Sequence, residues 1–256
     1  MVKEPLRRRS GVGSSQSGAP GRNAVRLRAL YDRLVAVYGP QSWWPAKTAF
    51  EVVVGAYLTQ NTAWKSVERS IANLETHGIL SIGGLRDVPE DRLREFIRPS
   101  GFMQRKAAAL KAFVAFLDAQ YGGEIESLRE AAHRSAGALR EQLLELPGVG
   151  PETADAILLY ALDAPSMVVD TYLRRVVTRH ELAPQTANYA TIQSLAEEAF
   201  APDRVREDPQ ELARHYNEFH ALFVQVGKDF CRPVARCENC PLRSDLAHSR
   251  SRRYSP

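Results

Sequence analysis

A glycine-rich turn and an aspartate are the residues of this chain whose types and spacing could carry out chemistry. The turn is LPGVG at residues 146–150, and Asp170 follows twenty residues after its last glycine. Glycines two apart allow a tight turn with positive φ and leave little side chain in the way. The N–H groups at the start of the next helix can then bind an anion such as a DNA phosphate.

Both features also have ordinary structural interpretations. The turn would equally connect two packed helices, and Asp170 is a good N-cap for the helix that begins with TYLRRVV. Glu152 stands two residues after Gly150, where a reactive lysine could stand. A carboxylate cannot form an imine, and in the first turn of a helix its charge is favoured by the helix dipole.

Helical periodicity dominates the chain from Val25 onward and predicts an all-α fold of about ten helices. Residues 25–39 place Leu27, Leu30, Tyr31, Leu34 and Val35 on one face. Pro89 is expected in the first turn of its helix. The apolar triplets 52–54 and 167–169 could be short strands, but they are too isolated to build a sheet. Further helices are expected over 48–58, 63–74, 91–97, 105–121, 136–144, 152–162, 171–179, 192–199 and 209–227.

Basic residues are concentrated at the two ends of the chain. Residues 1–28 carry a net charge of +6 and residues 243–256 one of +3, whereas the whole chain carries +4. Flexible basic arms fit contact with nucleic acid, although solvated tails would look the same. Apolar runs are too short for a membrane span, and the basic start lacks the apolar stretch of a secretory signal. We therefore expect a cytoplasmic, nucleoid-associated protein without membrane contact.

The turn and the aspartate together resemble the signature of the endonuclease III-like, helix-hairpin-helix (HhH-GPD) DNA glycosylases. That family has LPGVGxxTA followed by VDT, and this chain has LPGVGPETA and VDT, together with LTQNT at 58–62 and GFMQRKAAAL at 101–110. The resemblance implies a two-lobed all-α fold with the active-site cleft between the lobes. The implied parts are a disordered basic tail (1–23), a six-helix domain with the hairpin (41–164), a second helical domain (24–40 and 165–230), a cysteine loop (231–248) and a basic tail (249–256).

The resemblance also implies an activity, which is base excision from damaged double-stranded DNA by a monomer. Such enzymes flip the damaged nucleotide out of the duplex and break its N-glycosidic bond. The anionic carboxylate of Asp170 would stabilise the oxocarbenium-like sugar and orient the attacking water. Bifunctional members carry a lysine at the position of Glu152, so this chain is expected to be monofunctional and to leave an abasic site. The implied DNA contacts are Gln60, Asn61, Gly148, Val149, Gly150 and Thr153.

Within the family, the chain is similar to 3-methyladenine DNA glycosylase III, which shares WWP at 43–45, LTQNT, RPSGF at 98–102 and a glutamate at 152. Aromatic faces favour a cationic methylated base over a neutral one by about 0.5–2 kcal/mol. We therefore expect release of alkylated purines such as 3-methyladenine, although each tryptophan could simply be core and the lysine simply solvated. The implied base pocket consists of Trp43, Trp44, Pro45, Trp64, Glu152 and Lys228.

Other functions remain open from the sequence. An endonuclease III-type pyrimidine glycosylase or a mismatch thymine/uracil glycosylase, with or without lyase activity, would share the hairpin and the aspartate. A non-catalytic helix-hairpin-helix DNA-binding protein would share the hairpin but would not need Asp170. The aspartate therefore favours an enzyme.

The cysteines lie within ten residues of each other, in the pattern Cys231-x5-Cys237-x2-Cys240. The family pattern is C-x6-C-x2-C-x5-C, which binds a [4Fe-4S] cluster through four thiolates. Here the first gap is one residue shorter, Leu246 stands where the fourth cysteine would fall, and His248 is the nearest substitute ligand. Three interpretations stay open: a cluster completed by His248 or an external ligand, a zinc site, and a degenerate relic.

Overall fold

The protein is described by a computed structural model over residues 19–41, 46–201 and 208–246. Within these ranges the regular structure is helical and contains no strand, which confirms the all-α prediction. No helix in the same ranges is long and apolar enough to cross a membrane. The elements are α1 (Arg22–Tyr38), α2 (Ala49–Leu58), α3 (Trp64–Thr76), α4 (Ile82–Asp87), α5 (Glu90–Phe96), a 3₁₀ turn (Arg98–Ser100), α6 (Met103–Tyr121), α7 (Ile125–Arg134), α8 (Ala136–Leu144), α9 (Pro151–Ala156), a π-helical segment (Ile157–Ala161), α10 (Thr171–Arg179), α11 (Tyr189–Ala199) and α12 (Pro209–Asp229).

The helices form two lobes, as predicted. Helices α2–α9 pack on one another, with Tyr57 of α2 edge-on to Phe113 of α6. Helices α1, α10, α11 and α12 form the second lobe, in which Phe200 packs edge-on against Tyr31 and Phe219. The π-helical segment contacts both α2 and α12, so it joins the two lobes.

Several local predictions need correction. The sequence predicted a disordered tail through residue 23, but helix α1 already begins at Arg22. The start of this helix is held in place because Asn23 Nδ2 donates to the Leu182 carbonyl (3.0 Å). Pro89 is the N-cap of α5 and not part of its first turn. Residues 52–54 lie inside α2, and residues 167–169 belong to no helix or strand.

Two short helices, α4 and α7, were not predicted. Helix α4 contains two glycines and depends on its cap, in which the Ser81 hydroxyl accepts from the Gly84 N–H (3.0 Å). Helix α7 is amphipathic and buries Leu128 and Ala132, so the sequence does carry its helical periodicity. Two predicted tails lie wholly or largely outside the described residues, namely 249–256 and residues 1–18 of the tail predicted over 1–23. Four predicted site residues also lie outside them: Trp43, Trp44, Pro45 and His248.

Candidate active site

The hairpin connects α8 to α9 and is held together by its own backbone and by Gln60. Gly148 has φ +77°, and the Val149 N–H donates to the Leu146 carbonyl (3.1 Å). Gln60 Nε2 donates to the Gly148 carbonyl (2.9 Å) and to Thr153 Oγ1 (3.0 Å). The structure therefore brings together two groups of predicted DNA-contact residues that are about ninety positions apart in sequence.

Lys106 fixes the loop that carries Gln60 and Asn61. Its side chain is buried, and its ammonium group donates to the Leu58 carbonyl (2.8 Å), Thr62 Oγ1 (2.7 Å) and the Ser100 carbonyl (2.8 Å). Loss of hydration lowers the pKa of Lys106 to about 8. Three acceptors match the three donors of an ammonium group, so one lysine joins the 58–62 loop to the 98–102 loop.

Two residues on these loops adopt left-handed backbone conformations. Asn61 has φ +51° and Phe102 has φ +46°, and both side chains are exposed. Such values are uncommon for residues other than glycine and cluster at functional sites. The loops therefore present an amide and an aromatic ring to solvent beside the hairpin.

Asp170 is the N-cap of α10, as one interpretation of the sequence predicted. Its Oδ1 accepts from the N–H groups of Tyr172 (2.9 Å) and Leu173 (2.8 Å), and its side chain is 12% exposed. Oδ2 takes no part in this cap and lies 3.6 Å from Nε2 of His220 on α12. The cap fixes the carboxylate and leaves one oxygen for other contacts.

Glu152 lies within electrostatic reach of Asp170. Although much of its side chain is exposed, neighbouring protein displaces enough water to raise the pKa of Glu152, and the charge of Asp170 raises it further. His220 and Arg174 act in the opposite direction. The residue two after Gly150 therefore carries a carboxyl group, and no amine, within electrostatic reach of the candidate catalytic carboxylate.

A buried ionic network on Asp155 holds the segment that leads to Asp170. The Asp155 carboxylate is fully buried and accepts from both Nε and Nη2 of Arg140 (2.7 and 2.9 Å) and from Gln193 Nε2 (2.9 Å). Tyr189 also donates to Asp155 (2.8 Å), and the same hydroxyl accepts from the Val169 N–H (3.2 Å). The backbone next to Asp170 is thereby tied to both lobes.

Helices α10 and α12 approach each other closely beside Asp170. A Cβ atom on Gly227 would lie 2.5 Å from Cδ1 of Tyr172, so this crossing requires glycine. Lys228 follows Gly227 and is exposed, and its carbonyl accepts from Arg232 Nε (2.7 Å). The role of Lys228 in the base pocket stays a prediction.

Trp64 is the aromatic residue of the predicted base pocket that falls within the described ranges. It is half-buried at the start of α3 and lines a cavity between α2 and α3 together with Glu51, Gly55 and Glu68. The described lining of this cavity does not include Asp170. The other predicted wall of the base pocket, residues 43–45, is outside the described ranges.

Comparison with known proteins agrees with this geometry. Residues 54–202 match the family described as "HhH-GPD superfamily base excision DNA repair protein". The chain belongs to the HhH-GPD superfamily. It is a base excision DNA glycosylase, with DNA as its partner.

One relative and two solved structures give the extent of the likeness. A Methanocaldococcus jannaschii protein named "Putative DNA repair glycosylase MJ1434" is 44% identical over 214 residues, which cover 84% of this chain and 92% of that protein. The Helicobacter pylori 3-methyladenine DNA glycosylase MagIII, bound to 1,N6-ethenoadenine, has a TM-score of 0.68 and 27% identity, covering 80% of this chain and 97% of that one. A trapped endonuclease III–DNA covalent intermediate has a TM-score of 0.71 at 20% identity, covering 89% and 98%, which shows the shared fold.

The cysteines of this HhH-GPD protein do not form a metal-ligand set in the described structure. Cys231 is buried, and its sulfur accepts from the Arg179 guanidinium (3.3 Å), which also bonds the carbonyls of residues 232 and 233. Burial raises the pKa of the Cys240 thiol. Among described residues, no three Cys, His, Asp or Glu side chains converge on one point. The described donors do not fit a [4Fe-4S] cluster as they are arranged.

Sequence reasoning missed three residues of this site, Lys106, Asp155 and His220. Lys106 and Asp155 each lie among buried positions of an apolar helix, which is the signal that could have identified them. Charged residues are almost never fully buried unless they are paired. Their partners come from distant segments and carry no local signal.

Proposed function

We propose that this glycosylase is monofunctional, and that it removes alkylated purines such as 3-methyladenine from duplex DNA as a monomer and leaves an abasic site. The observation that carries the proposal is that the residue two after Gly150 is a carboxylic acid, Glu152, which lies within electrostatic reach of Asp170. A lyase needs an amine at this place to form a Schiff base with the sugar. Glu152 offers no such amine, and its pKa is raised first by loss of hydration and second by the charge of Asp170.

Asp170 supplies the chemistry in this proposal. Departure of the base leaves positive charge on the sugar, and a preorganised anion stabilises that charge without reorganising at the moment of reaction. The cap bonds from the N–H groups of Tyr172 and Leu173 hold the carboxylate in place. Its second oxygen orients or deprotonates the water that attacks the sugar.

Several features support an alkylated purine as the substrate. An N3-methylated purine is cationic and needs little acid assistance to leave. Trp64 offers an aromatic face next to Glu51 and Glu68, which is a suitable environment for a flat cation. The Helicobacter pylori protein to which the chain is similar is itself a 3-methyladenine DNA glycosylase.

The test is base release from defined DNA. Duplexes treated with dimethyl sulfate should lose 3-methyladenine when wild-type protein is added, and the strand should break only after alkali. Borohydride should trap no covalent adduct. Efficient removal of thymine glycol without release of 3-methyladenine, or a trapped adduct, would instead establish an endonuclease III-type activity.

A further inference from the structure

His220 is a buried histidine beside the catalytic carboxylate, with one ring nitrogen unsatisfied. Its side chain is 8% exposed, and Nδ1 lies within hydrogen-bond distance of the Tyr160 hydroxyl. Nε2 is buried without a hydrogen-bond partner among the described residues, and Asp170 Oδ2 is 3.6 Å away. A buried polar nitrogen without a direct partner costs about 1–3 kcal/mol, a cost that an apolar residue would avoid.

The geometry points to His220, held by Tyr160, as a positioning residue for the catalytic carboxylate of Asp170. This inference rests on the proposed role of Asp170. It assigns to His220 and Tyr160 the function of orienting the Asp170 carboxylate. His220 does not touch the DNA in this scheme. It acts through Asp170.

Tyr160 determines which ring nitrogen of His220 carries the proton. Tyr160 is buried, and its pKa is raised well above the usual value by loss of hydration and by the charge of Asp170, so its hydroxyl remains protonated. When that hydroxyl donates to Nδ1, the neutral imidazole must carry its proton on Nε2. Nε2–H then faces Asp170 Oδ2.

The local backbone explains how Tyr160 reaches the histidine. Tyr160 lies in the π-helical segment Ile157–Ala161, which follows directly after α9. Single π turns inside helices are rare and are frequent at functional sites. This segment contacts α12, which carries His220, so the irregular turn connects the hairpin lobe to the residue beside Asp170.

The effect of His220 on Asp170 is to orient its carboxylate. Oδ1 is fixed by two backbone N–H groups, and a donor on the side of Oδ2 limits rotation of the carboxylate. At 3.6 Å this contact is electrostatic and too long for a hydrogen bond.

The test compares His220→Leu, His220→Gln and Tyr160→Phe in the full chain. We expect His220→Leu and Tyr160→Phe to slow single-turnover base release by about 10- to 100-fold, as the loss of orienting residues does elsewhere. Affinity for duplex DNA should be unchanged. His220→Gln keeps an N–H donor and should restore most of the rate. The control for loss of a histidine is His215→Leu. His215 lies on the same helix as His220 and packs against the Phe200 ring, so this variant should release bases at the wild-type rate.

The outcomes separate this inference from the proposed function. Rates are compared on whichever lesion the wild-type protein removes. If that lesion is not 3-methyladenine, the proposed substrate is wrong, but the inference about His220 still stands. If His220→Leu does not fold, Tyr160→Phe carries the test. Wild-type rates for a folded His220→Leu or for Tyr160→Phe overturn the inference. So does a His220→Gln variant that is folded and as slow as His220→Leu.

Discussion

The Asp170 carboxylate has two separable roles, because it caps α10 and also carries the proposed chemistry. Asp170→Asn keeps an oxygen that can accept from the N–H groups of Tyr172 and Leu173, and Asn caps helices about as well as Asp. The free energy of unfolding should therefore stay within about 0.5 kcal/mol of wild type. Base release should fall about 10²- to 10³-fold, which is the usual effect of removing one preorganised electrostatic group.

A matched control exists at Asp208, the N-cap of α12. Its Oδ1 accepts from the N–H groups of Gln210 (2.7 Å) and Glu211 (3.1 Å), as that of Asp170 does at α10. Asp170→Ala and Asp208→Ala each lose two cap bonds, so each should lower the free energy of unfolding by about 0.5–2 kcal/mol. At this chain length, that corresponds to a Tm decrease of roughly 2–4 °C per kcal/mol.

Thermal unfolding and single-turnover release of methylated bases should be measured on all three variants. The Asp170 variants should lose release whether or not the cap survives, and Asp208→Ala should keep it despite the lost cap. Wild-type release by Asp170→Asn would refute the electrostatic role. Equal loss of release in Asp208→Ala and Asp170→Ala would show that capping, and not charge at the site, controls the rate.

Three further predictions concern packing, pH and the aromatic face. Gly227→Ala should lower the free energy of unfolding by about 1–3 kcal/mol, measured by calorimetry, because its methyl group would collide with Tyr172. A methyl group on Gly137 would meet no atom within 4 Å, so Gly137→Ala should not lower the free energy of unfolding in this way. The folded protein loses the Lys106 proton near pH 8 and the unfolded chain near 10.5, so the unfolded state binds more protons between these values. The free energy of unfolding should then rise with pH in urea titrations, and a rise that persists in Lys106→Met would contradict this assignment. Trp64→Ala should abolish release of 3-methyladenine and Trp64→Phe should keep much of it; equal activity of both would exclude stacking on this ring.

The sequence was sufficient to predict the fold and the central motif. Helical periodicity predicted α1 because Leu27, Leu30 and Leu34 recur on one face, and these residues are buried. The spacing from the LPGVG turn to Asp170 predicted both the hairpin and the cap. Glycine and aspartate are informative here because turns and N-caps depend on local backbone geometry.

The supporting residues could not be predicted in the same way. The partners of Asp155 lie on α8, on α11 and at Ser166, and those of Lys106 lie near residues 58 and 100, so no local pattern records these contacts. His220 falls on the buried face of α12, where its position alone would indicate core packing. Its closeness to Asp170 depends on the crossing of α10 and α12, which is a tertiary feature.

The buried Asp155 carboxylate also has a consequence for folding. Its charge is satisfied by Arg140 of the hairpin lobe and by Tyr189 and Gln193 of the other lobe. If the second lobe unfolded alone, Asp155 would lose the bonds from Tyr189 and Gln193, and the Val169 N–H would lose its acceptor. The two lobes should therefore melt in a single cooperative transition, and a half-folded chain would lack the scaffold that holds Asp170. This glycosylase would thus hold its proposed catalytic carboxylate in place only when both described lobes have folded.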